Sequence, residues 1–197
     1  MATLILASAS PRRRQLLQEA GAAFTVRPSN TEELVFPGES PDEYALRIAR
    51  EKAQEVARHS TGDWILGADT IVEINGLVLG KPKDVEDGAR MLRLLSGRTH
   101  QVKTAFTILD GAGQVKAQQV VTSRVTFKAL SDEQIREYLA TGEPFDKAGA
   151  YAVQGIGAAL VDHVEGSYTN VVGLPVAEVL VVLRALGALS AEKDLSE

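Results

Sequence analysis

Ser8-Ala9-Ser10-Pro11-Arg12-Arg13-Arg14 follows the apolar run Leu4-Ile5-Leu6-Ala7, so three arginines stand where a helix should begin. The first turn of a helix carries unsatisfied N–H groups and a partial positive charge, and an exposed cation there costs a few tenths to about 1 kcal/mol. A docked anion reverses that sign. Serine hydroxyls, a helix N-terminus and guanidinium forks together suit a phosphate, with Ser8, Ser10, Arg12 and Arg13 as its ligands. The plainer alternative is a solvated basic patch paired with an acidic group such as Glu19, and Arg14 is left to the surface. No GxxxxGK[ST] run occurs, so side-chain forks must supply more of the grip than a glycine-rich backbone would.

Lys52 and Lys81 are the next candidates. Lys52 falls in the same helical sector as Ile48 and Ala49, where a cation needs a partner or must snorkel to water. Together with Arg12 and Arg13, the two lysines suit a triphosphate carrying about four negative charges. Asp69 ends the apolar run Trp64–Ala68. Aspartates at such a corner often satisfy backbone amides. The chemical alternative is hydrolysis of a phosphoanhydride, which requires a water aimed in line and a cationic clamp on the developing charge. With a reference pKa of about 3.9, Asp69 is a weak free base, and it would orient a water made more acidic by a divalent cation. Glu33 is the candidate to share that cation; an exposed loop carboxylate is the simpler reading of its local sequence.

These residues need elements to hold them. Thr3–Ala7 reads as a buried strand, Ser10 as an N-cap with Pro11 at the first helical position, and Gly21 as the stop. Ser40-Pro41-Asp42-Glu43 is a capping box that opens a helix to roughly Arg58, with a stripe of Ala45, Ile48, Ala49, Ala53 and Val56. Asn75-Gly76 marks a two-residue hairpin. Counting outward from Ile74 opposite Leu77 sets Thr70 opposite Lys81, which brings that lysine beside an Asp69-Thr70 corner. A helix capped by Asp84 runs to Leu95, strands at Thr104–Leu109 and Val115–Phe127 make a longer hairpin, and Ser131 opens a helix to about Ala140. Asp146-Lys147-Ala148-Gly149-Ala150-Tyr151 and Gln154-Gly155-Ile156-Gly157 then set charged and amide side chains among small residues, where backbone can approach a ligand closely. Gly166–Asn170 reads as a turn, and Pro175 opens a last apolar helix.

The composition narrows the partners. The chain has 197 residues, of which 45% are hydrophobic and 24% charged, ordinary values for one α/β unit spanning 1–197. A formal net charge of −5 argues against nucleic acid and anionic membranes, which call for a broad basic face. With no cysteine there is neither disulfide nor thiolate chemistry, and no leader or spanning segment is evident. The default expectation is a cytoplasmic protein acting on a small molecule.

Ser8-Ala9-Ser10-Pro11-Arg12-Arg13, Gly67-Ala68-Asp69-Thr70, Gly80-Lys81-Pro82, Leu95-Ser96-Gly97 with His100, Asp146–Tyr151 and Gly166-Ser167-Tyr168 together closely resemble the Maf family of nucleoside triphosphate pyrophosphatases. The resemblance is colinear over most of the chain. It implies a mixed α/β fold related to the inosine triphosphate pyrophosphatases, a central sheet flanked by helices with two lobes around a cleft. It also implies cleavage between the α and β phosphates with a divalent metal, Mg or Mn. Asp69 is then the proton acceptor, with Glu33, Lys52 and Lys81 around phosphates and metal, and Glu33 and Asp69 as metal ligands; Glu32 is the competing match for Glu33. Arg12, Thr70 and Gln154 resemble the branch acting on dTTP and UTP, whereas the branch acting on 7-methylguanosine triphosphate carries acidic residues at the last two positions. A glutamine amide can both donate and accept, as the O4 and N3–H edge of thymine or uracil requires. Asp146 and Lys147 complete the implied substrate contacts. The resemblance further implies removal of modified pyrimidine nucleotides and a link to cell-division arrest. A nucleotide sensor that binds without turnover is the rival reading. Homodimers are common among such proteins, and the apolar 176–189 helix suits an interface or a core equally.

Overall fold

The computed structural model describes residues 3–189. Its elements follow in the order β1 (Leu4–Leu6), α1 (Pro11–Glu19), β2 (Thr25–Val26), α2 (Pro41–Ala57), β3 (Trp64–Ile74), β4 (Leu77–Leu79), α3 (Val85–Leu95), β5 (Thr99–Leu109), β6 (Val115–Phe127), α4 (Asp132–Ala140), β7 (Val161–Glu165), α5 (Tyr168–Val172) and α6 (Val176–Ala185), with three short 3₁₀ turns between α4 and β7. The helix starts obey their caps. Ser10, Ser40, Asp84 and Ser131 each accept the backbone N–H three residues on, and Ser40 and Ser131 form full capping boxes. Residues 168–172, expected as a turn, form a short helix because Ser167 caps it in the same way. Asn75 and Gly76 both take positive φ, as a type I′ hairpin demands, and Ile74 lies opposite Leu77 as counted.

The sheet is mixed, as expected, in the order β2-β1-β3-β5-β6-β7, with β4 also on β3. β1 runs parallel to β2 and β3, and the remaining pairs are antiparallel. The 11-residue β3 is unbroken, so Asp69 and Thr70 do not stand at a corner; they pair in mid-strand with Ala105 and Thr104 of β5. The other side of β3 is shared. β1 covers only Trp64–Leu66 and β4 only Val72–Ile74, so among the described residues Gly67–Ile71 has no strand neighbour on that side. This gap opens beyond the carboxyl end of β1, where parallel strands leave room for a ligand.

Alternation along β3 sorts the two faces. Ile65, Ala53 and Val56 pack together on one face, and Ile71 joins Ala45, Ile48 and Ala49 there, so α2 covers the odd-numbered residues. On the opposite face the core divides. Leu66 and Ala68 belong to a cluster with α1, α5 and α6, whereas Val72 and Ile74 belong to one with α3 and α4. Thr70 sits between the clusters, and the expected two-lobed architecture is this division of one sheet face.

Candidate active site

The gap in β3 forms one wall of a cleft of about 430 Å³, a size that suits a nucleotide. At its base lies Asp69, only 5% exposed. Lys52, 9% exposed, donates from Nζ to Asp69 Oδ1 at 2.8 Å and to Glu33 Oε1 at 2.6 Å. Neither the corner role for Asp69 nor the snorkelling alternative for Lys52 survives this geometry. The local cause is Gly67. A Cβ there would stand 2.2 Å from the Ala49 carbonyl oxygen and 2.9 Å from Ala53 Cβ, so α2 rides against the strand backbone. Lys52 lies between Ala49 and Ala53 on that helix, and Asp69 lies two residues beyond Gly67 on the same strand face. The pairing follows from that contact.

Of the two adjacent glutamates, it is Glu33 whose carboxylate reaches Lys52; Glu32 is exposed and does not line the cleft. Burial pushes the Glu33 carboxyl up, but Lys52, then Lys81 and Arg13, hold it below its ordinary value. Lys81 is exposed on the cleft wall and, among the described residues, makes no ion pair of its own.

Around the start of α1 the arginines part company. Arg14 is exposed, as expected. Arg13 is buried and its fork is committed to protein acceptors: Nε donates to the Gly173 carbonyl at 2.8 Å, one terminal nitrogen to Ser8 Oγ at 3.1 Å and the other to Thr70 Oγ1 at 2.9 Å. The cation misplaced at a helix start is thereby satisfied without an external anion. Burial pulls its pKa down, opposed by the charges of Asp69 and Glu33. Ser8 and Ser10 accept N–H groups from Ser10 and Arg13, and among the described residues neither hydroxyl donates to a protein acceptor, which leaves both protons available to a ligand. Arg12 extends to Asp146 at 3.8 Å across the cleft mouth. Lys147 donates to Asp146 at 2.6 Å and to the Glu143 carbonyl at 2.8 Å, so this pair braces the wall. Gln154 is exposed and lines the same cleft. All twelve residues singled out as site candidates thus lie on this one cleft.

Three further side chains hold the site, and the sequence does not single them out. Arg47 of α2 turns two of its three guanidinium nitrogens to the irregular segment bearing Glu33: Nε and a terminal nitrogen grip Glu39 at 2.6 and 2.8 Å, and the same nitrogen reaches the Leu34 carbonyl at 2.7 Å, while the third reaches Glu51 of the same helix at 3.3 Å. Its plane covers the Phe36 ring at 4.1 Å. Nothing in the segment's own sequence signals this contact. Asn170 is fully buried and donates to the Val102 carbonyl and Ser123 Oγ, which fixes α5 on the sheet and with it the Gly173 carbonyl used by Arg13. Glu143 accepts the N–H groups of Ile156 and Gly157; the glycines at 155 and 157 are the available sequence hint that something passes close beneath them.

The donor set suits a hard divalent cation. Among the described residues no three His, Cys, Asp or Glu side chains converge, which disfavours an all-protein cage. Glu33 and Asp69 each use one oxygen on Lys52, and among the described residues their second oxygens accept no hydrogen bond. Two carboxylate oxygens beside the serine- and arginine-bearing start of α1 match the way magnesium is held, with substrate and water completing its shell.

Residues 3–186 match the family described as "Maf-like protein". Proteins named dTTP/UTP pyrophosphatase are 51% identical over 187 residues in Citrifermentans bemidjiense, covering 95% of this chain and 97% of that one. Another so named, from Geotalea uraniireducens, is 52% identical over 186 residues and covers 94% and 96%. A third, from Anaeromyxobacter dehalogenans, is 52% identical over 186 residues and covers 93% and 94%. Among solved structures, a nucleoside-triphosphatase / dITP/XTP pyrophosphatase from Mycobacterium abscessus aligns over 94% of this chain and 96% of its own, at 16% identity and a TM-score of 0.44. With the family matched across nearly the whole chain and half of all residues identical to these relatives, this protein belongs to the Maf family.

Proposed function

We propose that this chain hydrolyses dTTP and UTP, and related modified pyrimidine triphosphates, to the nucleoside monophosphate and pyrophosphate. The observation that carries the reading is the shared Lys52 ammonium between Glu33 and Asp69 at the open edge of β3, beside the serine- and arginine-bearing start of α1. Relatives about half identical to it bear the name dTTP/UTP pyrophosphatase, which supports the same substrate class here.

The triphosphate lies between the Ser8–Arg13 turn and the two lysines. Ser8 and Ser10 donate hydroxyl protons to phosphate oxygens, and Arg12, Lys52 and Lys81 offset their charge. Arg13 acts from behind, holding Ser8 and Thr70 in place. Asp69 orients a water toward the α phosphorus and takes its proton as the new P–O bond forms and the bond to the bridging β-phosphate oxygen breaks. Pyrophosphate departs with that electron pair, its charge met by the lysines. Glu33 and Asp69 are the residues that would hold a divalent cation, Mg or Mn, and such a cation neutralises phosphate charge and acidifies a bound water. Gln154 presents a donor and an acceptor to the O4 and N3–H edge of the base, with Asp146 and Lys147 bracing the wall beside it.

A panel of nucleoside triphosphates, including methylated pyrimidines and 7-methylguanosine triphosphate, scored for monophosphate and pyrophosphate with magnesium, tests the assignment. The expected result is preference for dTTP and UTP, with Asp69→Asn losing turnover while still binding nucleotide. Binding without pyrophosphate release would instead establish a sensor, and 7-methylguanosine triphosphate as best substrate would overturn the roles given to Thr70 and Gln154.

A further inference from the structure

The segment that bears Gln154 lies outside any strand or α-helix, yet it is anchored on both sides by one pair of side chains. Tyr138 of α4 accepts the Ala152 N–H at 3.1 Å through its hydroxyl and donates that hydroxyl to Glu143 Oε2 at 2.8 Å. Glu143 in turn accepts the Ile156 N–H at 3.1 Å through Oε1 and the Gly157 N–H at 2.8 Å through Oε2. The chain from 152 to 157 is thus tied down two residues before Gln154 and again two and three residues after it.

The glycines of this turn are shaped to the same pair. Gly155 has φ of 68°, and a Cβ on it would stand 2.3 Å from Glu143 Oε1; one on Gly157 would stand 2.5 Å from the Tyr138 hydroxyl and 2.4 Å from the Ala152 carbonyl oxygen. The backbone therefore passes over the carboxylate and phenol at a distance that no other residue allows. Bonds from N–H groups to an ionised carboxylate are the strong kind, and here two converge on one group. Among the described residues, the Glu143 carboxylate bonds only to this segment and to Tyr138; its carbonyl receives Lys147. Its side chain therefore acts on the base end of the cleft and not on the phosphate end.

We propose that the Glu143–Tyr138 pair is a positioning device for base selection: it fixes the backbone at Gln154, and hence the position from which that amide meets the pyrimidine edge. The proposal rests on the pyrimidine triphosphatase reading above. A glutamine amide can rotate to offer its donor and acceptor in either order, so discrimination depends on where its backbone is held as well as on the amide itself. Loosening that backbone should weaken recognition of the base and leave the hydrolytic centre at Asp69 unaltered.

The experiment measures kcat and KM for UTP, CTP and GTP in wild type, Glu143→Gln and Tyr138→Phe. Glu143→Gln replaces one acceptor oxygen by an NH₂ that faces an N–H donor, and it keeps the shape of the side chain. The expected outcome is a rise of about tenfold in KM for UTP with kcat within about twofold, and a fall of similar size in the kcat/KM ratio of UTP over CTP and GTP. Tyr138→Phe, which removes the Ala152 contact but leaves both N–H bonds to Glu143, should show the same split in smaller measure and serves if Glu143→Gln does not fold. Unchanged KM and unchanged base ratios in folded variants would overturn the inference, as would a loss confined to kcat. A wild-type protein with no pyrimidine preference would overturn the underlying assignment instead, so the two failures are distinguishable.

Discussion

Replacing Lys52 by methionine removes the charge and keeps most of the packed stem. In the native protein this ammonium is 2.8 Å from Asp69, which is 5% exposed, and 2.6 Å from Glu33, which is 40% exposed at its side chain. Only the first of these partners is stranded by the change; Glu33 can turn to water. Breaking a buried ion pair by removing one member costs about 3–5 kcal/mol because the other charge is left desolvated. Surface-type pairs such as the one to Glu33 add at most about 1 kcal/mol. For a chain of this size, about 3 kcal/mol corresponds to a fall in Tm of roughly 6–12 °C. The discriminating measurement is a double-mutant cycle with Asp69→Asn, followed by thermal and urea unfolding. Asparagine keeps an oxygen for Lys52, so Asp69→Asn alone should cost about 1 kcal/mol. In its background Lys52→Met no longer orphans a charge and should cost about 1–3 kcal/mol less than in wild type. Strict additivity, or a Lys52→Met variant as stable as wild type, would refute the claim that the two residues form a buried pair. Turnover of UTP by Lys52→Met should fall by about 10²–10³, the loss typical of one electrostatic contact to a transition state.

His100 is 2% exposed, its Nε2 lies 2.7 Å from the Tyr151 hydroxyl, and burial brings its pKa down from 6.5 to about 4. The unfolded chain therefore binds more protons between those values, and stability should fall by about 3 kcal/mol as pH drops from 6.5 to 4 and level off about one pH unit above 6.5; urea midpoints across that range, compared with His100→Phe, check it. Gly67→Ala forces a Cβ against the Ala49 carbonyl, and overpacking of this kind costs about 1–3 kcal/mol. Because α2 must retreat, UTP turnover should fall more than Tm alone explains, and an unaltered kcat would show that this helix contact does not place Lys52. Arg47→Lys keeps the charge and loses the fork that grips Glu39 and Leu34. Limited proteolysis within residues 32–39 should accelerate, and the magnesium concentration for half-maximal turnover should rise severalfold; neither change would leave Glu33 positioned by other means.

Much of the site is legible in the sequence because its signals are local. Ser10-Pro11 and Ser40-Pro41 start helices through bonds spanning three residues, and Asn75-Gly76 sets a hairpin register that holds to Leu79. The split core around Thr70 and the open edge of β3 are not legible there, since they arise from where β1 and β4 stop along a third strand. The expected Asp69-Thr70 corner fails for the same reason. A polar pair inside an apolar run looks like the end of a strand, yet both residues continue the ladder with β5, and one meets α2 while the other meets Arg13.

By itself the amino-acid sequence determined the residue types and their order: hydroxyls and arginines at a helix start, two lysines, one aspartate in a strand and a glutamine among glycines, the set that carries the resemblance to the family and the proposed phosphate chemistry. Tertiary structure decided which of these groups meet. It chose Glu33 over Glu32, turned Arg13 from a free phosphate ligand into a brace between Ser8, Thr70 and Gly173, and set Lys52 between two carboxylates. Those outcomes depend on distances between segments far apart in the chain, fixed by close approaches such as Gly67 on Ala49. Local sequence rules reach about three or four residues; Lys52 reaches Asp69 across 17 positions, and Arg13 reaches Gly173 across 160.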